Sequence, residues 1–182
     1  MFWSRKFSSL AAALEVPHRA KKLYLLKSGI DAELRNIAKL RKLTVLHIGW
    51  QELNQLPVEV TELTNLKELV VLNSPIAVIP PTISHLASLR KLVFRGTDIT
   101  EIPPEIGLLQ QLEDLDLGNN NIHSLPRDIG NIKRLKSLNL HYNPIDSIPD
   151  ELDRLDQLTF LGLTGTKFSE AKRCELTLRF EC

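Results

Sequence analysis

The chain's 182 residues are 43% apolar and 25% charged, which excludes the low-hydrophobicity, high-charge regime of disordered sequences and predicts a buried core. Lys and Arg number 23 against 22 Asp and Glu, a net charge of +1, so no global field draws the chain to nucleic acid or to an anionic membrane surface. Its two cysteines, Cys174 and Cys182, are too few and too one-sided for a disulfide framework, and the histidines are too scattered to complete a zinc site with them.

At the N-terminus Arg5 and Lys6 precede a mildly apolar run, Phe7 to Ala13. The run holds two serines and meets Glu15 and Pro17 within a few residues, whereas a secretory apolar region is a cleaner stretch of roughly 7–15 residues. No stretch nears the roughly 20 apolar residues of a membrane-spanning helix. The expectation is a soluble, cytoplasmic protein without membrane insertion. Ser8 or Ser9 is placed to cap a short helix carrying Leu10, Ala11 and Leu14, with Phe7 beside it, that ends near Pro17. Residues 1–19 therefore read as an N-terminal helical cap.

From Ala20 the chain repeats every 23 residues without insertion, with units starting at Ala20, Leu43, Leu66, Leu89, Leu112, Leu135 and Leu158. Each reads L-x-x-L-x-L-x-x-(N/S/T/Q)-x-L, and the fifth unit, with Leu112, Leu115, Leu117, Asn120 and Ile122, keeps to it most closely. Apolar residues at the fourth and sixth positions alternate with variable ones, the period of a strand buried on one side. The period then changes: Ile122, Leu125, Ile129 and Ile132 lie three or four apart, as a short helical or 3₁₀ segment places them. Leu/Ile-Pro opens that segment in five units, at Pro57, Pro80, Pro103, Pro126 and Pro149. Proline is tolerated there because a first-turn amide has no intrahelical partner. The first unit departs, with Glu33-Leu34 in place of Leu-Pro, but Leu34, Ile37 and Leu40 keep an apolar helical face. One unit cannot bury its apolar stripe alone, so units must stack, strands on one face and turns on the other.

These residues resemble the leucine-rich repeat family, and the Leu-Pro-x-x-Ile-x-x-Leu half is similar to its 23-residue intracellular class, which includes plant Ras-group-related and bacterial members. The resemblance implies an α/β solenoid, a curved right-handed superhelix with a parallel β-sheet on the concave face and short helical or 3₁₀ turns on the convex face. It also implies that the ninth residue of each unit turns inward to bond backbone: Ser28, Gln51, Ser74, Thr97, Asn120, Asn143 and Thr166. Gln51 is a poor size match and puts that ladder in doubt locally. Residues 20–168 hold the seven units, the last partial. Ser169 and the helical stretch after it, within 169–182, resemble a C-terminal capping helix, where Cys174 is expected as a small buried residue. The expectation is one domain overall, with no segment of these residues left over for an appended catalytic domain.

In the family's geometry the concave face displays the third, fifth, seventh and eighth positions. Two zones follow. The first is apolar and aromatic: Tyr24, Leu26, Val45, His47, Trp50, Val70, Leu72 and Val93. Contiguous exposed apolar surface marks protein contacts, and Trp and Tyr concentrate binding energy; valines at such positions also satisfy β-propensity with no further role. The second zone is polar: Asp114, Asp116, Asn119, Asn139, His141 and Tyr142, flanked by Lys91 and Arg95. The two aspartates either meet a basic partner side chain or pair only with Lys91 and Arg95. An open face gives them no pocket in which to shift their pKa, and the glycines form no nucleotide-binding pattern, so neither catalysis nor a cofactor or metal is expected. The reading is a monomeric, non-enzymatic interaction module or scaffold for a protein partner of unknown identity, not for nucleic acid. The alternative is a secreted bacterial effector or adhesin recognising a host protein or glycan.

Overall fold

The computed structural model describes residues 5–26 and 34–180. Eight strands form one open sheet in chain order, every neighbouring pair parallel: β1 (Arg5–Phe7), β2 (Ala20–Leu25), β3 (Val45–Gly49), β4 (Glu68–Leu72), β5 (Lys91–Arg95), β6 (Asp114–Asp116), β7 (Ser137–Asn139) and β8 (Phe160–Gly162). From β2 onward the register is the sequence period itself, since Lys22, Val45, Glu68, Lys91, Asp114, Ser137 and Phe160 pair in succession. Fourth-position leucines from Leu23 to Leu161 and the sixth-position row from Leu25 to Leu163 lie on the inner side of the strands and are buried. Phe94, the largest fully buried side chain, stands in that sixth row.

Opposite the sheet run the turns. Helix α2 (Val58–Thr61) serves the second unit, and 3₁₀ segments at Leu34–Lys39, Pro81–His85, Pro104–Leu108, Arg127–Asn131 and Asp150–Arg154 serve the first and the third to sixth. Pro57, Pro80, Pro103, Pro126 and Pro149 each sit one residue before the segment, in extended backbone, where the fixed φ of proline presets the turn. Two of the stacked turns touch through glycine. A Cβ on Gly107 would run into the Asp128 carbonyl oxygen, and one on Gly130 into the Glu151 carbonyl oxygen. Gly130→Ala is therefore expected to lose about 1–3 kcal/mol through overpacking against backbone that cannot swing aside, read as a shift in the urea midpoint; an unchanged midpoint would show that the turns can spread.

Ser9 caps helix α1 (Leu10–Glu15) by accepting a hydrogen bond from the Ala12 amide at 3.3 Å, and the helix buries Leu10 and Ala13. Ahead of it β1 extends the sheet, pairing with β2 through a register shift between Arg5 and Lys6. That strand lies within residues the sequence gives to a helical cap. At the other end Ser169 caps helix α3 (Glu170–Leu178), whose Leu176, with Phe180 just beyond, closes the core. Cys174, expected buried, is exposed on this helix: it stands two residues before Leu176, about 200° around the axis and facing away from the core. Among the described residues no helix is long and apolar enough to cross a membrane.

Gln51 corrects a second expectation. It is buried, and its Nε2 donates to the Leu25 and Gly49 carbonyls at 3.3 and 3.0 Å, so the longer amide reaches what asparagine would and the ladder continues. Ser28 lies outside the described residues.

Candidate functional site: the concave face and its rim

The sheet register places the third- and fifth-position residues in two rows across the concave face. In the fifth row Tyr24, His47, Val70, Val93, Asp116, Asn139 and Gly162 are successive neighbours. Tyr24 and His47 meet edge to face at 4.6 Å, Lys6 from β1 lies 4.3 Å over the Tyr24 ring, and His47 Nε2 lies 2.7 Å from Glu68 Oε1. Val70 and Val93, expected as exposed members of the apolar zone, are only 7% and 6% exposed. Each has a full-sized neighbour on both sides in its row, and a concave surface crowds such neighbours together. They form the floor of the face and expose little of themselves.

The apolar surface that remains open is at the strand ends. Leu26 and Leu72 close over Gly49, where a Cβ would lie 3.2 Å from Leu26 Cδ2 and 3.6 Å from Leu72 Cβ. Trp50 stands beside this notch, 53% exposed. Val45 is half-buried at the far end of β3.

In the polar zone the charges pair internally. Lys91 Nζ lies 2.6 Å from Asp114 Oδ2, and Arg95 reaches Asp116 Oδ2 at 4.0 Å while Asp116 Oδ1 accepts from the Gly118 amide at 2.9 Å. The hydrogen bond to Asp114 holds the Lys91 ammonium above its ordinary value of 10.5, with Asp114, Glu68 and Asp116 adding attraction against a desolvation cost. A raised lysine value means this contribution is complete at neutral pH and fades only as pH climbs beyond 10.5. Asn139 Oδ1 accepts from the His141 amide, and His141 Nδ1 accepts from the Thr164 amide at 2.9 Å. The His141 and Tyr142 rings lie over glycines, because a Cβ on Gly162 would come within 2.7 Å of His141 Nε2 and one on Gly165 within 2.6 Å of Tyr142 Cδ1. Phe160, exposed, meets His141 edge to face at 6.1 Å.

All six described residues in the eighth-position row have left-handed backbone: Trp50, Asn73, Gly96, Asn119, Tyr142 and Gly165, with φ between 48° and 73°. Backbone bonds tie the row together: from Trp50 to Tyr142 each eighth-position amide donates to the seventh-position carbonyl of the next unit, as Trp50 does to Leu72 at 2.9 Å and Tyr142 to Thr164 at 2.7 Å. Glycine and asparagine suit this conformation; for a bulky residue it is an outlier that costs roughly 1–2 kcal/mol. Trp50 and Tyr142 break the pattern, and both point large rings into solvent, at 53% and 58% exposure. The signal is legible in sequence as an Asn/Gly row, Asn73, Gly96, Asn119 and Gly165, interrupted by Lys27, Trp50 and Tyr142.

A family model described as a leucine-rich repeat region matches residues 81–176. No curated protein matches the chain. Among solved structures, a leucine-rich repeat protein of Leptospira interrogans superposes with a TM-score of 0.84 at 31% identity, over 95% of this chain and 45% of that one. The ectodomain of the Arabidopsis thaliana receptor kinase GASSHO1/SCHENGEN3, in complex with CASPARIAN STRIP INTEGRITY FACTOR 2, gives 0.74 at 24% identity over 88% and 20%, a likeness of fold alone. The TLR13–ssRNA13 complex gives 0.73 at 25% identity, over 90% and 24%. The chain thus spans less than half the length of each of these structures.

Proposed function

Because the chain belongs to the leucine-rich repeat family, whose fold is a typical protein–protein interaction scaffold, we propose that it is a non-enzymatic module binding a protein partner on its concave face, chiefly through Trp50 and the Leu26–Leu72 notch. The observation that carries this reading is Trp50 itself. A residue held at φ 53° with half its surface in water occupies a backbone that asparagine adopts at lower cost, so the strain points to a role outside the fold. Trp is also the residue type most enriched among energetic hot spots.

The solenoid alone does not choose the partner class, since similar structures are in complex with CASPARIAN STRIP INTEGRITY FACTOR 2 in one case and with ssRNA13 in another. Charge favours protein here. Among the described residues Lys91 and Arg95 each face a carboxylate in the middle of this surface, and Lys6 and Lys22 stand only at its β1–β2 end, so these cations form no continuous stripe to track a phosphate backbone.

Affinity capture with the whole chain as bait tests the reading. A Trp50→Asn, Leu72→Ala variant is expected to reduce partner recovery about tenfold or more with an unfolding midpoint close to that of the parent. Undiminished capture by the folded variant would rule the surface out.

A further inference from the structure

We propose that the rim of this face takes an extended, polyproline-II-like segment of the partner, an acidic residue meeting Arg95 and apolar residues three positions to either side meeting Trp50 and Tyr142; this rests on the concave face being the protein-binding surface. Trp50 belongs to the second unit, Arg95 to the fourth and Tyr142 to the sixth, so the cation stands two units from each ring. Strands about 4.8 Å apart put two units at about 9.6 Å. A polyproline-II chain has three residues per turn and rises about 3.1 Å per residue, so every third side chain returns to one face after about 9.3 Å. A β-strand ligand would not match, because residues three apart in it point to opposite faces.

The chemistry of the rim agrees with the spacing. Among the described residues of the left-handed row Trp50 and Tyr142 are the two bulky ones, and both are exposed. Between them the row carries Asn73, Gly96 and Asn119, with both asparagines exposed. A polyproline-II backbone makes no internal hydrogen bonds, and side-chain amides offer it both donors and acceptors. The Arg95 side chain is 54% exposed, and its partner Asp116 sits at the 4.0 Å limit of pairing and is shared with the Gly118 amide. A guanidinium has five N–H donors, so a second carboxylate can be received without displacing Asp116.

Calorimetric titration of the whole chain with three synthetic peptides decides it. One has leucines at both ends, glutamate at the centre and two prolines in each gap; the second has a single proline in each gap; the third carries lysine at the centre. The first is expected to bind about tenfold tighter than either of the others. Trp50→Asn and Tyr142→Asn should each weaken it several-fold without unfolding, since asparagine suits the left-handed backbone, and Arg95→Glu should transfer the preference to the lysine peptide. Equal binding of the three peptides, no binding, tighter binding of a single-stranded oligonucleotide, or indifference to Arg95→Glu would overturn the proposal. If the peptides fail while the Trp50→Asn, Leu72→Ala variant still loses its captured partner, only this ligand is wrong; if capture too is unaffected, the binding face falls with it.

Discussion

Leu115→Ala is expected to lower stability by about 2–5 kcal/mol, toward the upper end of that range. Leu115 sits in β6, fully buried, paired in register with Leu92 on one side and Leu138 on the other. Truncating a buried leucine loses its transfer free energy and leaves a cavity whose cost depends on how far the surroundings collapse. Here collapse is restricted, because hydrogen-bonded strands on both flanks fix the backbone spacing. The damage also reaches two interfaces at once, since each repeat is stabilised by the units on either side. Leu161→Ala, in the edge strand β8 and 4% exposed, removes the same atoms with a repeat on one flank only, and should cost less. Urea unfolding of both variants gives the comparison; a loss below about 1 kcal/mol for Leu115→Ala would mean that the position is not the packed centre of its layer.

The fold was legible because one 23-residue period carries two shorter ones, and each marks a different layer. Leu112, Leu115 and Leu117 declare a strand with one buried side, and Ile129 and Ile132 a turn on the far side; all five are buried as that pattern requires. Where the pattern is too short or too indirect, legibility ended. β1 spans three residues and offers no alternation to read. Val70 and Val93 lie in the fifth row, as alternation predicts, yet alternation says which way a side chain points and not how closely its neighbours press on it. Cys174 is exposed because α3, whose one buried residue is Leu176, has only a narrow buried stripe. Close approach of the turns through Gly107 and Gly130 is a property of stacking, and no single unit shows it.

The candidate site divides along the same line. Trp50, Leu26 and Leu72 gather at the strand ends, and Lys91, Arg95, Asp114 and Asp116 pair as neighbours in adjacent strands. Row positions sufficed for that, since a regular repeat turns sequence separation into distance. What row positions do not reveal is the conformational cost of occupying them. The left-handed backbone at Trp50 and Tyr142 separates these two rings from the valines, whose exposed or buried state follows from packing alone.

Asn120→Ala is expected to cost about 2–4 kcal/mol, although it removes no apolar surface of consequence, because buried groups stripped of their partners each cost about 1–3 kcal/mol. Asn120 is buried, and its Nδ2 donates to the carbonyls of Phe94 at 2.7 Å, Leu117 at 2.9 Å and Gly118 at 3.3 Å. Its Oδ1 accepts from the Ile99 amide at 3.4 Å and from the Thr97 hydroxyl. Two of these losses are softened: the Leu117 carbonyl keeps Asn143 Nδ2 at 2.8 Å, and the Gly118 carbonyl keeps the Gly96 amide at 3.2 Å. The Phe94 carbonyl, the Ile99 amide and the Thr97 hydroxyl lose a partner that alanine cannot replace. Thr97→Ala removes only the hydroxyl's single bond to the same oxygen and should cost about 1 kcal/mol, the ordinary worth of one such bond. Since both substitutions break that bond, the double variant should fall short of the sum by about 0.5 kcal/mol or more. Thermal unfolding of the three variants measures the cycle. An Asn120→Ala loss no larger than that of Thr97→Ala would mean that water takes over the asparagine's bonds, and that the ladder orders the loops without holding the repeats together.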